Sequence, residues 1–218
     1  MHQSPPPVRI IRHERIHYRW CTDYQKQLAD EIATGTSPET TILTEHYHVY
    51  TMGRLASHQE ILHKPPHIDI VATQRGGRVT YHGPGQLVVY PVLNLLRVGR
   101  DIRKYISLLE QSVIMTLDCL GIKGTRSHLH PGVWIKGKKI ASIGIQIHRG
   151  IAFHGLAINR NPALDLFKNI IPCGVHSLRM TSLEKEGILV CRNDLENIFI
   201  NQFKKALNLT LWDTYHNG

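Results

Sequence analysis

The sequence lacks any long hydrophobic run. Its longest apolar segment, residues 87–96, is interrupted by Pro91 and Asn94, whereas a membrane-spanning helix requires about 18 or more consecutive apolar residues. We therefore interpret this segment as a buried strand. The N-terminal residues also lack the continuous apolar region of a secretory signal. We interpret them as mature sequence in which the first seven residues are frayed.

Cysteine is scarce, with four residues in a chain of 218 and no CxxC pair. This spacing does not support a zinc knuckle or a redox motif, and a disulfide framework is not expected in such a chain. Free thiols in a reducing cytoplasm fit best. Most free cysteines are buried and inert, and Cys21, Cys119 and Cys191 fit that description because each lies on or beside an apolar pattern.

Signatures of metal, nucleotide and nucleic-acid binding are missing. The 15 histidines show no HExxH or paired ligand spacing, and no glycine segment reads GxGxxG or GxxxxGK followed by Ser or Thr. No helix-turn-helix, RNP or zinc-finger pattern is present. We expect no metal, no nucleotide cofactor and no nucleic-acid partner. Without an internal repeat or a low-complexity linker, residues 1–218 are interpreted as a single domain.

The charge is strongly positive, at +9 with histidines neutral and a pI of about 9.5. Such a balance favours encounter with an acidic partner through long-range electrostatic steering. Nucleic acid and an acidic protein both meet that description, and a solvated basic surface without a specific role is an equal alternative. Charge alone does not choose among them.

Hydrophobic periodicity predicts helices over residues 20–33, 102–120 and 194–207. Asp101 is the predicted N-cap of the second helix, and Gly121 is the glycine just beyond its end. Asn193 and Glu196 have the spacing of a capping box at the third helix.

Strand-like stretches lie between these helices, over residues 41–44, 68–72, 87–95, 132–135, 139–147 and 151–158. The last two flank His148, Arg149 and Gly150, a tight-turn sequence, so they should form an antiparallel hairpin. Clustered strands with helices segregated around them predict an α+β fold.

A glycine-dense segment, RGGRVTYHGPGQ, occupies residues 75–86. Glycines let the backbone approach a ligand and adopt positive φ, and such segments bind ligands through backbone N–H groups. A structural hairpin with glycine turns is the alternative interpretation.

Lys139 opens an apolar strand with the alternation Lys139, Ala141, Ile143 and Ile145. That alternation places the lysine on the same face as the isoleucines. A partly buried lysine is unfavourable as a cation unless it has a partner or a role. The alternative is a solvated lysine at the mouth of the strand.

Cys173 lies between Pro172 and Gly174 in a predicted loop. Proline fixes the chain before the cysteine and glycine allows a sharp turn after it, so the thiol can be presented to a pocket. A buried inert cysteine is the alternative. In FHGLAIN, His154 and Gly155 interrupt a strand, which indicates a bulge or a close backbone approach.

Together and in this order, these segments resemble the lipoyl(octanoyl) transferases, the octanoyltransferases of lipoate biosynthesis. The resemblance covers residues 44–182, and 34 residues separate Lys139 from Cys173. The matching segments are EHYHVYTMGR, RGGRVTYHGPGQLVVYPVLNL, PGVWIKGKKIASIGIQI, FHGLAIN, and IPCG followed by TSL.

The resemblance implies a fold similar to biotin and lipoate protein ligases, with a mixed or antiparallel sheet flanked by helices. It implies transfer of octanoyl from an octanoyl-acyl-carrier protein to a lysine of lipoyl domains, in 2-oxoacid dehydrogenase E2 subunits and glycine cleavage H protein. Cys173 would be the acyl-thioester nucleophile, and Lys139 would favour its thiolate and act as acid and base. The implied substrate-binding residues are Arg75, Gly76, Gly77, Arg78, Val79, Thr80, Tyr81, His82, Ser142, Ile143, Gly144, Gly155, Leu156 and Ala157.

Two other functions are alternatives. An ATP-dependent lipoate or biotin ligase of the same fold would need a nucleotide-binding pattern and would not need Cys173. A non-catalytic module that binds a carrier protein would be expected to lose Cys173 or Lys139, and both are present.

Overall fold

Three helices and eleven strands are formed by the residues that the structure describes. This computed structural model describes residues 6–127 and 129–214, with the backbone alone for 213 and 214. The helices are α1 (Tyr18–Thr34), α2 (Ile102–Cys119) and α3 (Arg192–Leu207). The strands are β1 (Val8–Ile16), β2 (Thr40–His46), β3 (Val49–Met52), β4 (Asp69–Ala72), β5 (Val79–His82), β6 (Gln86–Asn94), β7 (Thr125–Arg126), β8 (Gly132–Ile135), β9 (Lys138–His148), β10 (Ile151–Asn159) and β11 (Leu211–Thr214). The predicted fraying of the first seven residues falls largely on residues 1–5, outside the described range.

Eight strands form one mixed sheet in the order β11-β1-β2-β6-β10-β9-β8-β7. Strand β1 runs parallel to both of its neighbours, and the remaining pairs are antiparallel. Strands β4, β3 and β5 form a separate small sheet. The predicted α+β class and the predicted hairpin of β9 and β10 are both confirmed.

The sheet is covered on both faces, which explains the long apolar run of β6. Leu87, Val89 and Leu93 pack in the core that also contains residues of α2 and α3. The alternate residues Val88 and Tyr90 pack in a second core with α1. Successive side chains of a strand point to opposite faces, so a strand covered on both sides is apolar throughout. The predicted buried strand is confirmed.

The ends of α2 are as predicted, but the start of α3 is not. Asp101 accepts a hydrogen bond from the Lys104 N–H, and Gly121 has a φ of 74°. Helix α3 begins two residues earlier than predicted, and the Cys191 side chain caps it. The capping box assigned to Asn193 and Glu196 is therefore wrong. Glu196 is buried and pairs with Arg192 and Arg12, so its carboxylate is not free to reach back to a cap.

Five strands were not predicted, namely β1, β3, β5, β7 and β11. Strand β1 pairs with β2 and with the distant β11, and β5 pairs with β3 about 30 residues away. When a strand is stabilised by partners far away in the sequence, its own residues show little of the pattern that predicts a strand.

The four cysteines are free thiols with different surroundings. Cys21 is buried, as predicted, whereas Cys119 and Cys191 are exposed, which corrects the prediction for these two. Each of the exposed thiols lies at a helix end, where the apolar face stops. Within the described residues, no helix combines the length and the hydropathy needed to cross a lipid bilayer.

Candidate active site

Lys139 and Cys173 are in contact although 34 residues separate them in sequence. The distance from Lys139 Nζ to Cys173 Sγ is 3.2 Å. The lysine is only 2% exposed, so the alternative of a solvated lysine at the strand's mouth is wrong. The two residues thus form one partly buried dyad, with Lys139 buried and Cys173 partly exposed.

The backbone of Lys139 is held on both sides. Its N–H donates to the Arg179 carbonyl at 2.8 Å, and its own carbonyl accepts from the Thr181 N–H at 2.9 Å. Nζ lies 5.4 Å from the ring centroid of Trp134. The side chain of the adjacent Lys138 pairs instead with Glu186 at 2.8 Å. Lys139 is therefore the lysine of this segment that contacts the thiol.

Cys173 lies on a strained turn, Pro172–Gly174. Its φ of 58° and ψ of 12° fall in the left-handed region, which a non-glycine residue occupies only when its surroundings enforce it. The Gly174 N–H donates to the Ile171 carbonyl at 3.1 Å. A Cβ on Gly174 would lie 2.7 Å from Arg78 Cδ, so only glycine lets the arginine pack there.

Glu60 joins the cysteine turn to the glycine-dense segment, a role that the sequence did not predict. Its carbonyl accepts from the Ile171 N–H at 2.7 Å. Its buried carboxylate forms an ion pair with Arg78 and accepts from the Val79 N–H at 3.3 Å. A single glutamate outside any motif carries no signal of such a role.

The glycine-dense segment is a loop followed by strand β5. The Gly76 N–H donates to the Ile145 carbonyl at 2.8 Å, which fastens the loop across β9. The Arg75 guanidinium donates to the Thr51 hydroxyl at 2.7 Å and to the backbone carbonyls of Thr51, Gly76 and Arg78. A Cβ on Gly53 would lie 2.4 Å from the Gly77 carbonyl oxygen, so the loop requires glycine on the facing chain.

A cavity of about 720 Å³ extends from the dyad under this loop. Residues 75–80 and His82, residues 142–144 and residues 155–157 line it together with Lys139 and Cys173. Tyr81 is the exception in the predicted binding set, because it packs in the core around Phe167 and its hydroxyl bonds to His48 at 2.8 Å. The other predicted binding residues all line this one cavity, which agrees with the prediction. That they bind the substrate stays a prediction.

A chain of buried hydrogen bonds connects three of the sequence motifs. His82 bonds to the Gln86 side chain at 3.1 Å, and Gln86 donates to Asn159 at 2.9 Å. Asn159 donates to the Thr181 carbonyl at 2.9 Å. Because Thr181 also holds the backbone of Lys139, the network ties the glycine-dense segment to the position of the lysine.

Three buried histidines lie at or beside the cavity: His82 and His154 line it, and His46 packs against His82. Burial lowers the pKa of His46 to about 4, and burial together with the nearby Arg75 cation lowers the pKa of His154 to about 3. Burial also holds the pKa of His82 well below its usual value, with the neighbouring His46 and Arg75 as further causes. All three imidazoles are therefore neutral at pH 7.

We expect the protein to lose stability as the pH falls from 6.5 to 5. In that window the unfolded chain protonates these histidines, whose unfolded pKa is about 6.5, while the folded chain does not. Stability is therefore greatest above pH 6.5 and falls by about 1.4 kcal/mol per pH unit for each histidine. Urea unfolding at pH 7.5, 6.5, 5.8 and 5.0 measures this slope.

His154→Phe should reduce that slope by about one histidine's share, whereas His58→Gln, at an exposed position, should leave it unchanged. A free energy of unfolding that stays constant from pH 7.5 to 5.0 would contradict the assignment of neutral buried histidines.

Other polar side chains of the cavity were also not predicted. Tyr18, at the start of α1, and Tyr90, on β6, line it with His154. Tyr18 lies outside every segment singled out in the sequence, and Tyr90 lies in the apolar run of β6, so neither carries a signal of a place in the cavity. Among the described residues, no group of three His, Cys, Asp or Glu side chains is arranged to hold a metal ion.

The chain matches the family described as the lipoyl protein ligase A/B catalytic domain over residues 17–210. It is 38% identical over 213 residues to an octanoyltransferase from Magnetococcus marinus, covering 98% of this chain and 99% of that protein. It is 45% identical over 169 residues to an octanoyltransferase from Geobacter metallireducens, covering 78% of each.

Solved structures share the fold at low identity. A putative lipoate protein ligase from Thermoplasma acidophilum with bound lipoic acid has a TM-score of 0.74 and 16% identity, covering 97% of this chain and 90% of that one. A bipartite lipoate protein ligase of the same organism, described with its E2 lipoyl domain, has a TM-score of 0.72 and 17% identity, covering 97% and 88%. A biotin protein ligase from Aquifex aeolicus with biotin and ATP has a TM-score of 0.58 and 16% identity, covering 92% and 70%.

The predicted similarity to the biotin and lipoate ligase fold is thus confirmed. The extent of the family match and the identity to octanoyltransferases over most of both chains go further than fold. The chain belongs to the lipoyl protein ligase A/B catalytic domain family and, with the octanoyltransferases among its relatives, to the acyltransferases that carry out octanoyl transfer in lipoate biosynthesis.

Proposed function

We propose that this protein takes octanoyl from an octanoyl-acyl-carrier protein onto Cys173 and passes it to a lysine of a lipoyl domain. The acceptors would be the lipoyl domains of 2-oxoacid dehydrogenase E2 subunits and the glycine cleavage H protein. The observation that carries the proposal is the partly buried contact between Lys139 and Cys173 at the wall of a cavity large enough for an acyl chain.

The first step exchanges one thioester for another. The Cys173 thiolate attacks the thioester carbonyl of the donor, a new carbon–sulfur bond forms, and the carrier's thiolate leaves. A lysine cation 3.2 Å from the sulfur favours the thiolate by up to about 5 kcal/mol at an effective dielectric of about 20. Desolvation of both groups offsets part of that gain. Lys139 then supplies the proton that the departing thiolate takes up.

The second step forms an amide from the acyl-enzyme. The acceptor's lysine amine attacks the acyl carbonyl, the carbon–sulfur bond to Cys173 breaks, and the sulfur leaves as a thiolate. Lys139, neutral after the first step, takes the proton that the amine loses. The step is downhill because an amide is more stable than a thioester. Because Cys173 holds the acyl group covalently between the two steps, the acyl-carrier protein and the lipoyl domain can bind one after the other.

The lining of the cavity suits an uncharged acyl chain, and the cations around it suit an acidic carrier protein. Val88, Ile143 and Leu156 provide apolar lining, while Arg54 and Arg78 lie among the lining cations. No Asp or Glu of the described residues lines it. Together with the net charge of +9, this distribution would steer acidic carrier proteins toward Cys173 and should weaken with added salt.

The same proposal extends to the organisation and location of the protein. We take residues 1–218 as a single catalytic domain that needs no metal or nucleotide. Its free thiols suit the reducing cytoplasm. The E2 lipoyl domain of the Thermoplasma acidophilum system supports a lipoyl domain as the acceptor.

Intact-mass spectrometry tests the mechanism directly. The protein is incubated with octanoyl-acyl-carrier protein without ATP, and a gain of one octanoyl group is expected. Peptide mapping should place the adduct on Cys173, and adding a lipoyl domain should remove it. Cys119→Ala, which removes an exposed thiol, should gain the same adduct.

Two other results would overturn the proposal. Transfer that requires ATP and free octanoic acid, with no adduct, would make the protein a ligase. Binding of the carrier with neither adduct nor transfer would make it a non-catalytic module.

A further inference from the structure

The short turn that carries Cys173 is attached to the rest of the molecule on both sides of the thiol. Before it, the Ile171 N–H donates to the Glu60 carbonyl at 2.7 Å. After it, Gly174 packs on the Arg78 side chain, so closely that a Cβ on the glycine would lie 2.7 Å from Arg78 Cδ. The Arg78 guanidinium forms an ion pair with the Glu60 carboxylate. Both attachments therefore lead to one residue, Glu60.

The backbone conformation of Cys173 explains why the turn needs these attachments. Its φ of 58° and ψ of 12° lie in the left-handed region, where a residue other than glycine stays only if its surroundings over-determine the backbone. Inside the turn, the Gly174 N–H donates to the Ile171 carbonyl at 3.1 Å. That bond closes the turn, but it does not fix the distance between the thiol and Lys139, which lies on β9.

Glu60 is itself held firmly enough to act as an anchor. The residue is only 6% exposed, and its carboxylate also accepts from the Val79 N–H at 3.3 Å. The next residue, Ile61, forms a β-bridge with Ile170, just before the cysteine turn. The Arg78 side chain is 44% exposed, so without its ion pair it could swing into solvent and leave the turn. Burial and these contacts restrict the carboxylate, which in turn restricts the guanidinium.

We propose that Glu60 is a positioning residue for the nucleophile, which holds Cys173 against Lys139 through Arg78 and through its own carbonyl. This inference rests on the proposed function, in which Cys173 accepts the acyl group. Glu60 does not itself line the cavity, so its effect on the reaction has to pass through the turn. A displacement of about 1 Å in a reacting group can slow a reaction by about 10²-fold, so a residue that touches no substrate can still control the rate.

The experiment measures octanoyl loading of Cys173 in Glu60→Gln, Arg78→Met and the double variant. Glu60→Gln keeps the shape of the side chain and the backbone contact to Ile171, and removes the charge that holds Arg78. Its loading rate at saturating donor should fall roughly tenfold, with an unchanged KM for the donor. The rate of Arg78→Met should fall by a similar factor. The double variant should be no slower than either single variant, because both changes break the same link, whereas independent effects would multiply to roughly a hundredfold.

Glu39→Gln is the matched control. Glu39 is also paired with an arginine, Arg97, and its carboxylate also accepts a backbone N–H, that of Asn94 at 2.6 Å. Neither member of this pair lines the cavity. Both glutamine variants should lose some stability, since each breaks a charge pair. At a temperature where all variants are folded, only Glu60→Gln should load octanoyl more slowly than the wild type.

Alkylation by iodoacetamide gives a readout that needs no carrier protein. Peptide mapping follows Cys173 and the exposed Cys119 in the same sample. In Glu60→Gln the alkylation rate of Cys173 should fall relative to that of Cys119, because the thiol is no longer held beside the Lys139 cation. A purely structural loss would lower the melting temperature without changing this ratio in the folded protein.

The outcomes separate the positioning role from the proposed function. A folded Glu60→Gln that loads and alkylates like the wild type would overturn the positioning role alone, as would a raised KM with an unchanged saturating rate. Losses that multiply in the double variant would overturn the link through Arg78. If a single variant does not fold, the double variant decides by its loading rate against the wild type, because it leaves no unpaired charge. A wild-type protein that loads no octanoyl group would overturn both the positioning role and the proposed function.

Discussion

Replacing Cys173 by alanine is expected to reduce octanoyl transfer by at least roughly 10⁴-fold, the loss typical of a removed nucleophile. Alanine keeps the Cβ that the left-handed turn already accommodates, so the fold should persist. Without the thiol, the donor thioester and the acceptor amine must react directly, in one encounter between two carrier proteins. The measurement is kcat/KM for transfer to a lipoyl domain, together with the melting temperature of the variant.

Cys173→Ser separates the effect of losing the nucleophile from the effect of changing the size of the side chain. The hydroxyl is close to the thiol in size, but the Lys139 cation cannot ionise it to a useful extent near neutral pH, so transfer should stay as low as in the alanine variant. Cys119→Ala controls for general loss of thiols and should retain full activity. Retention of more than a few per cent of transfer by Cys173→Ala would exclude a thioester on this residue.

Lys139→Met is expected to lower transfer by roughly 10² to 10⁴-fold, the range of general acid–base catalysis. Methionine has a similar length and no charge. Removing one partner of a buried charge pair destabilises a protein, so the melting temperature is measured beside the rate and transfer is compared only where the variant is folded. The loading of Cys173 in this variant should be slowed as well as its discharge, because the thiolate loses the cation that lies 3.2 Å from it.

Lys139→Arg distinguishes the two roles assigned to the lysine. Arginine retains a positive charge but cannot give up a proton in a protein, so loading should suffer less than discharge to the acceptor amine. Lys138→Met is the neighbouring control, since Lys138 pairs with Glu186 and not with the thiol. Equal losses for Lys138→Met and Lys139→Met would show that the contact with Cys173 has no special part in the reaction.

The sequence predicted those elements whose signals are local. Strand β6 shows a continuous apolar run because both of its faces are covered, and the β9–β10 hairpin has a tight-turn sequence between two alternating strands. Asp101 caps α2 through a contact only three residues away. Each of these features depends on neighbours in sequence, so a pattern of residue types is sufficient to find it.

Features that depend on distant partners were not found. Strand β1 exists because β2 and β11 flank it, and Glu60 matters because it faces both Arg78 and the backbone of Ile171. Resemblance to a family supplied the dyad, since a lysine and a cysteine 34 residues apart have no detectable pattern of their own.

The order of strands in the large sheet has a consequence for how the protein behaves in concentrated solution. The two strands at its borders, β7 and β11, span two and four residues respectively. Long unpaired borders are templates on which other chains add as further strands, and short ones blunt that route to aggregation. Mutual repulsion between molecules of net charge +9 adds to this protection. Self-association through strand addition is therefore disfavoured by the architecture of the sheet itself.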